Sequence, residues 1–575
     1  MFVRIKSKSK DKYNKSVQLV ESSRVNGKVV QTIVKHIGVA YNDEQLDELR
    51  LLAKSIQITL ENVDKESLFQ TEELLQDLIL EDNYDQSIYS DEDYNVDIRN
   101  LEEESRVITG IHDIYGKLYD ELKVASIIAN PARNVSVVKI FKEMVLSRIA
   151  NPDSKRGSVA TLEEKYGVEI DLDKVYRMMD KLDDKAIAKL NTLSYNKTKE
   201  LFGDKIDVIY FDATTIYFES FSEDIGEDAL KKNGYSKDLK FNQPQVVLAL
   251  MVTKDGLPIG YEAFAGDTFD GHTLIPSLKI LREKYNIDNV VYVADSGMFN
   301  KNNLQELDQL EEHKFNYIVG ARIKNMPKSI KEQILYMDDY AQLTEDTKVK
   351  NINLDNGRKL IVTHSLKRAR KDKSDREKGI IKLREKLQKN KSIKTHLSTQ
   401  GFKKYLQLED PKNKDKEISC DLAIILNEEK IAQDEAWDGL KGLIVNKDSK
   451  LTNDEILAQY SNLWQVEESF RITKSDLKIR PVYHWKPSRV KAHLAISFAA
   501  LFLVRHLEYR VKVQYKKLSP KKIKELLLSV QHSIVVDKTR KIKYAIPSKT
   551  NVDINKLYRI MGLKKHTTPY ILGKF

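Results

Sequence analysis

Asp212, Asp295 and Glu467 are the residues of this chain best suited to do chemistry together. Asp212 follows the apolar run Ile206-Asp-Val-Ile-Tyr-Phe211, and Asp295 follows Asn289-Val-Val-Tyr-Val-Ala294. Glu467 lies in a polar helical stretch beside aromatic and cationic residues. Carboxylates brought from separate elements to one spot are what phosphodiester chemistry with two divalent ions requires. Hard cations take oxygen ligands, which favours Asp and Glu over His or Cys. Two carboxylates about 4 Å apart repel by roughly 4 kcal/mol at an effective dielectric near 20, so the ions would also hold such a site together. Each acid has a plainer reading too. An Asp after a strand often caps a turn or helix, and Glu467 could simply pair with Arg471 on a surface helix.

The stretch around Glu467 runs Tyr-Ser-Asn-Leu-Trp-Gln-Val-Glu-Glu-Ser-Phe-Arg-Ile-Thr-Lys from Tyr460 to Lys474. At about 100° per residue, Tyr460, Trp464, Glu467, Arg471 and Lys474 fall in one stripe. Leu463, Val466, Phe470 and Leu477 form the adjoining apolar face, predicted to dock on a sheet, while Glu468 turns away. One acid among two cations and two aromatics suits a surface facing nucleic acid, with cations on phosphates and rings stacked on bases.

The elements that must position these residues are most legible between 205 and 320. Strand 206–211 leads to Asp212, and strands follow at Val246–Val252 and Ile259–Phe264 around the Asp255-Gly256 turn. A helix near Thr273–Tyr285 precedes strand 289–294, and a helix near Asn302–His313 precedes strand Asn316–Gly320. Three antiparallel strands, then two strands each preceded by a helix, is the order of a ribonuclease H-like fold. In that fold the first and fourth strands are neighbours, which would bring Asp212 and Asp295 to one sheet edge. The predicted fold class is therefore α/β, with a ribonuclease H-like mixed-sheet core interrupted by an inserted domain and preceded by an N-terminal β/helical DNA-binding region.

By this reading residues 1–130 form the N-terminal region, with strands at Ser16–Glu21 and Lys28–Val34 around Asn26-Gly27, a helical stretch from Asp43 to about Leu80, and an acidic linker or exposed surface at 81–104. Residues 131–204 are helical with a break at Asn151-Pro152-Asp153. Residues 205–330 begin the core. Residues 331–450 form the insertion, with a basic helix at Leu366–Gln388, strands at Leu422–Leu426 and Gly442–Asn446, and a turn at Trp437-Asp438-Gly439. Residues 451–575 complete the core and end in a basic tail. Asp238, Asp267 and Asp270 read as solvated loop acids, and His272, His484 and His493 as structural histidines. Tyr483 and Trp485 are expected to pack behind the Glu467 helix.

The 575 residues carry a formal net charge of +10 and only one cysteine, Cys420. That excludes an internal disulfide and a cysteine zinc cluster, and it suits a reducing cytoplasm. Residues 1–40 hold nine Lys or Arg against two acids. Basic clusters recur from Lys367 to Lys391 and after Arg505, a segregation suited to a phosphate backbone. Met1-Phe2-Val3-Arg4 leads into a Lys-rich polar stretch and not an apolar core, so no secretion signal is expected. The longest apolar stretch, Ala492–Val504, is shorter than the roughly 20 residues a bilayer crossing needs, so it reads as a buried helix and no membrane is expected.

The helix motif also carries a resemblance. Tyr460, Glu467 and Lys474 match the Tyr-x2-Arg-x3-Glu-x6-Lys spacing of bacterial insertion-sequence DDE transposases, with Leu463 in place of the arginine, as in a Leu-Trp variant of the motif. Asp212-Ala-Thr-Thr215, Gly234-Tyr-Ser-Lys-Asp238, Ala294-Asp-Ser-Gly297, Arg480-Pro-Val-Tyr-His-Trp485, Arg489 and Ala492-His493 extend the resemblance over about 206–495. It implies a transposase that binds double-stranded DNA at element ends and joins them to target DNA. It further implies catalysis by Asp212, Asp295 and Glu467 with two Mg²⁺ or Mn²⁺ ions, and DNA contacts from Tyr460, Trp464, Arg471 and Lys474. A homodimer assembled on DNA in the cytoplasm, at the nucleoid, follows from the same likeness. Two rival readings are an inactive DNA-binding derivative and a phosphohydrolase with an aspartyl nucleophile. The latter usually wants an Asp two residues after the nucleophile, where this chain has Thr214.

Overall fold

The computed structural model describes residues 2–7, 15–25, 28–40, 46, 50, 53, 89–203, 206–269, 272–277, 279, 291–295, 316–389, 401–409 and 423–574, apart from 220, 227, 236–241, 355–356 and 448. The Asn26-Gly27 turn, most of the helices read at 43–80 and 273–285, and all of that at 302–313 lie outside these residues.

In chain order the strands that matter are β1 (Phe2–Ser7), β2 (Lys15–Val25), β3 (Lys28–Ala40) and β4 (Leu101–Ile108). Four helices follow, α1 (Val135–Ala150), α2 (Lys155–Tyr166), α3 (Leu172–Met179) and α4 (Asp184–Leu201). Then come β5 (Val208–Tyr217), β6 (Gln245–Thr253), β7 (Pro258–Ala265), β8 (Val291–Ala294) and β9 (Asn316–Ala321). The next segment holds β10 (Ala341–Thr344), β11 (Thr347–Asn353), β12 (Lys359–Ser365), α5 (Leu366–Lys389), β13 (Leu406–Glu409), β14 (Ala423–Leu426) and β15 (Leu440–Val445). The chain ends with α6 (Asn453–Ser461), α7 (Trp464–Arg471), α8 (Pro487–Gln514), β16 (Gln531–Asp537), β17 (Ile542–Pro547) and β18 (Tyr570–Lys574).

The chain divides into two compact units that cross the order of the sequence: Met1–Glu121, Val159–Ile170 and Leu507–Phe575 in one, Leu122–Ser158 and Asp171–His506 in the other. The first unit contains the β1-β2-β3 sheet, in which Val17 buries against Leu46 and Ala53 of a helical segment. It also contains a four-stranded sheet ordered β18-β17-β16-β4. Part of the acidic stretch, Leu101–Glu104, thus lies in a strand paired with the basic tail, where Lys543 binds Glu104 at 2.8 Å and Lys538 binds Glu102.

The second unit is built on one nine-stranded mixed sheet, ordered β10-β11-β12-β15-β9-β8-β5-β6-β7. β5 is antiparallel to β6 and parallel to β8, and β8 is parallel to β9. The first and fourth core strands are therefore neighbours. Strands from 331–450 continue this sheet, because β15 returns antiparallel to β9 and carries β12, β11 and β10 beyond it. Alternate residues such as Ile209, Phe211, Ala213, Tyr292, Ala294 and Val319 fill one continuous core. On β7, α4 is fixed by polar contacts: Ser194 donates to the Pro258 carbonyl at 2.7 Å, and Asn191 exchanges hydrogen bonds with Tyr261 at 2.9 and 3.2 Å.

α8 is the one helix among the described residues long and apolar enough to cross a membrane, but 94% of its apolar window is buried inside the protein. It serves as a core helix.

Candidate active site

β5 runs past Asp212 to Tyr217, six residues beyond the end the sequence suggested. Only Val208–Phe211 pairs with β8, whereas the β-branched Thr214, Thr215 and Ile216 continue the ladder with β6 alone. Asp212 thus sits where the parallel partner leaves. The last parallel pair is Phe211 with Ala294, so Asp212 of β5 and Asp295, just past the end of β8, are the residues that follow it. Phe211 and Ala294 face the core. Asp212, one residue on, belongs to the opposite face with Tyr210.

That second face is covered by α6 and α7. Thr452 starts α6 with a reciprocal cap, accepting from the Glu455 amide at 3.3 Å while the Glu455 carboxylate accepts from the Thr452 amide at 2.8 Å. The Tyr210 hydroxyl donates to the Gln459 carbonyl at 3.0 Å and so fixes α6 on β5. α7 packs on β5 and β6. Arg505 of α8 holds it there, donating to the Gly256 carbonyl at 2.8 Å and to Gln465 Oε1 at 3.1 Å. Gly256 has φ +78°, and a Cβ there would meet the Arg505 guanidinium at 1.6 Å, so this turn requires glycine.

Between Tyr460 and Lys474 the helix is not continuous. Asn462 and Leu463 form a turn held by i→i+3 bonds to Gln459 and Tyr460, at 3.1 and 3.2 Å. Residues Ile472–Asp476 form a wider π turn. The single 100° stripe read from the sequence is therefore split into three pieces, because both irregularities change the rotation per residue. The apolar face holds: Leu463, Val466, Phe470 and Leu477 are all buried.

Tyr460 is buried, and its hydroxyl donates to Asp295 Oδ1 at 3.1 Å. Burial, then the Asp295 charge, pushes its phenol pKa up. The Lys441 ammonium of β15 lies 4.2 Å from the centre of the Tyr460 ring. Burial, with help from Arg368, pulls Lys441 down, while Asp295 and Glu467 pull it back up. Asp295, Glu467, Tyr460 and Lys441 thus share one electrostatic neighbourhood. Asp212 Oδ1 accepts from the Ala213 amide at 2.8 Å. Among the described residues, no three His, Cys, Asp or Glu side chains converge closely enough to hold a metal ion. The donor set, three carboxylates, is nonetheless the chemistry a hard divalent cation takes.

Of the other predicted DNA-contacting residues, Trp464 is 46% exposed and Lys474 half-buried. Arg471 makes a two-pronged pair with Glu468 at 2.7 and 2.8 Å and reaches Asp476 at 3.4 Å. Its partner is Glu468, not Glu467 as the plainer reading had it, and its charge is held by its own helix. Tyr483 and Trp485 are 60% and 77% exposed, so they do not pack behind the helix. His493 is buried against the Ile479 carbonyl at 2.9 Å, as a structural histidine should be. Trp437-Asp438-Gly439 is a turn, with Gly439 at φ +79°.

Sequence reasoning missed a cleft of about 420 Å³ beside Asp295 and Tyr460, lined by Arg322, Lys324, Arg368 and Lys441. Only Arg368 stood in a basic run noted from the sequence. The others become neighbours because β15 pairs with β9.

The family model of the transposase DDE domain matches residues 203–503, more than half of the chain and all three acids. This chain is a DDE transposase. The model of the IS1634 family transposase N-terminal domain matches residues 2–66, which include β1, β2 and β3. Together they make it a transposase of an insertion sequence. DNA is the partner that this family suggests, and DDE transposases in general use divalent metal ions. No curated protein matches the chain.

Proposed function

We propose that Asp212, Asp295 and Glu467 are the catalytic acids of this transposase, on a ribonuclease H-like core formed by β5 to β9 and the helices that cover it. The observation that carries the reading is the parallel register of β5 and β8, in which Asp212 and Asp295 each follow the last parallel pair, Phe211 with Ala294, while α7 packs on β5. The substrate is double-stranded DNA at the element ends, cleaved and then joined to target DNA by a homodimer in the cytoplasm.

The three acids would hold two Mg²⁺ or Mn²⁺ ions, which when bound supply polarisation of the phosphodiester and a lowered pKa for the attacking hydroxyl. The chain's own residues do the rest. Tyr460 fixes Asp295 by donating to one oxygen, which leaves the other oriented. Lys441 offsets the charge of Asp295 and Glu467, so the acids can stand near one another before any ion or DNA arrives. Arg322, Lys324 and Arg368 line the cleft that a strand would follow on its way past Asp295. Trp464 offers an exposed ring to a base, and Lys474 a cation to a phosphate.

The test is cleavage of a labelled DNA fragment carrying the ends of the protein's own element, in Mg²⁺ and in Mn²⁺. Asp212→Asn, Asp295→Asn and Glu467→Gln should each lower cleavage at least ~10³-fold while end-binding stays within a few-fold. Near-normal cleavage by any one would remove that residue from the site. Tight end-binding without cleavage by the wild-type protein would favour an inactive derivative.

A further inference from the structure

The second compact unit holds another cationic site. The end of α1, the start of α2 and the segment 478–484 line a pocket of about 310 Å³. Its lining carries five lysine or arginine side chains against one carboxylate, Asp153.

Two of those cations are not surface charges. Arg148 and Lys155 are each only 4% exposed. The Arg148 guanidinium rests on backbone carbonyls, donating to Lys478 at 3.3 Å and Leu477 at 3.5 Å. Lys155 has no hydrogen bond or ion pair among the described residues. The charge that acts on it is another cation, Arg148. Lys155 is also the first residue of α2, whose amide dipoles add positive potential. His493 lines the same pocket, and its Nδ1 is buried without a partner.

Among the described residues Arg148 has only the Asp153 carboxylate to offset it and Lys155 has no acid beside it, and burying such a pair is costly unless a ligand of opposite charge compensates it. The pocket is too small for a folded partner and polar enough for a tetrahedral oxyanion, which can accept from a guanidinium and an ammonium at once. We propose that Arg148, Lys155 and the 478–484 segment form a binding pocket for one phosphate group, carried by a nucleic-acid strand or by a free phosphate. None of the three proposed catalytic acids lines it.

The experiment uses the full chain and inorganic phosphate as probe. Thermal unfolding is followed in phosphate and in chloride at matched ionic strength. The wild-type protein should show a saturable rise in Tm with phosphate. Lys155→Met should lose that rise, with at least a 10-fold weaker phosphate response, yet melt no lower than wild type in chloride, because it removes an uncompensated charge. Lys155→Arg should keep the response. If Lys155→Met fails to fold, Lys478→Gln at the exposed rim should weaken the phosphate response instead. A wild-type protein indifferent to phosphate, or a Lys155→Met protein with an unchanged response, would overturn the proposal. A second arm adds an element-end duplex. Phosphate that competes with the duplex, with a salt slope about one lower in Lys155→Met, identifies a strand phosphate as the ligand. Phosphate that binds without competing identifies a free phosphate. Neither arm reads cleavage, so the outcome is separate from the fate of the catalytic acids.

Discussion

Lys441, half-buried, and Lys155, buried, belong to the same compact unit but stand under opposite electrical conditions. Burial lowers the pKa of both. At Lys441 the neighbouring charges include Asp295 and Glu467, and an aromatic face lies 4.2 Å away. At Lys155 the neighbouring charge is Arg148, which among the described residues only Asp153 offsets. The first lysine is therefore part of a balanced group that the fold completes by itself. The second belongs to a group whose balance must come from outside. A cation drawn away from water is in both cases a sign of function, but only the second points to a partner from outside.

The sharpest way to break this comparison is to delete the balanced lysine. Lys441→Met should lower metal-dependent cleavage by about 10²-fold, in the range lost with one electrostatic donor at an active site. Its cost in stability should stay near 1 kcal/mol or below, since Asp295 and Glu467 are exposed and water can take over part of the compensation. Cleavage kinetics and denaturant unfolding of the same preparation check both halves. A variant with full activity would reduce Lys441 to a packing residue.

Tyr460→Phe should act more weakly. It removes one hydrogen bond to Asp295 and leaves the ring beneath Lys441 in place. A typical net hydrogen bond contributes about 0.5–1.5 kcal/mol, so cleavage should fall roughly 3- to 10-fold with DNA binding unchanged. An effect as large as that of Lys441→Met would mean that the hydroxyl does more than orient Asp295.

The two regions also differ in how far the sequence revealed them. Asp212 and Asp295 were legible because strand-like apolar runs precede them, and a local run is enough to mark a strand end. The buried face of α7 was legible for the same reason, since Leu463, Val466 and Phe470 are close in the chain. Lys441 was not, because its importance depends on β15 lying beside β9, more than a hundred residues earlier. The broken stripe from Tyr460 to Lys474 shows another limit. Periodicity assumes a constant rotation per residue, and the turn at Asn462-Leu463 and the wide turn at 472–476 violate it. The Arg471 partner was not legible either, since Glu468 at i,i+3 holds it where the sequence also offered Glu467 at i,i+4. Pairing of β4 with β16 joins residues more than four hundred positions apart, which no local pattern announces. Tyr483 and Trp485 were assigned to the interior on aromatic character alone, and character does not fix exposure.

The smallest expected effect concerns His484, which lines the Lys155 pocket and stands 5.4 Å from the His493 ring and 6.4 Å from that of Tyr176. Burial, then the charges of Lys155, Arg148 and Arg489, lowers its pKa from 6.5 to about 4. The unfolded chain therefore binds a proton between about pH 6.5 and 4 that the folded protein refuses, and stability falls as pH drops through that window. Above pH 6.5 the histidine is neutral in both states and contributes nothing to the slope. His532 in the other unit is held down to about 4 as well, and buried His493 moves in the same direction, so wild type alone does not isolate one residue. The informative quantity is the difference between wild type and His484→Gln in unfolding free energy at pH 7.5, 6, 5 and 4.5. That difference should change across the window and be constant above it. Lys155→Met should narrow the window from below, because it removes one of the cations that hold His484 neutral, and saturating phosphate should do the same in the wild-type protein. If Lys441→Met narrowed it equally, the two lysines would not be electrically separate, and the contrast between the balanced group and the open one would fail.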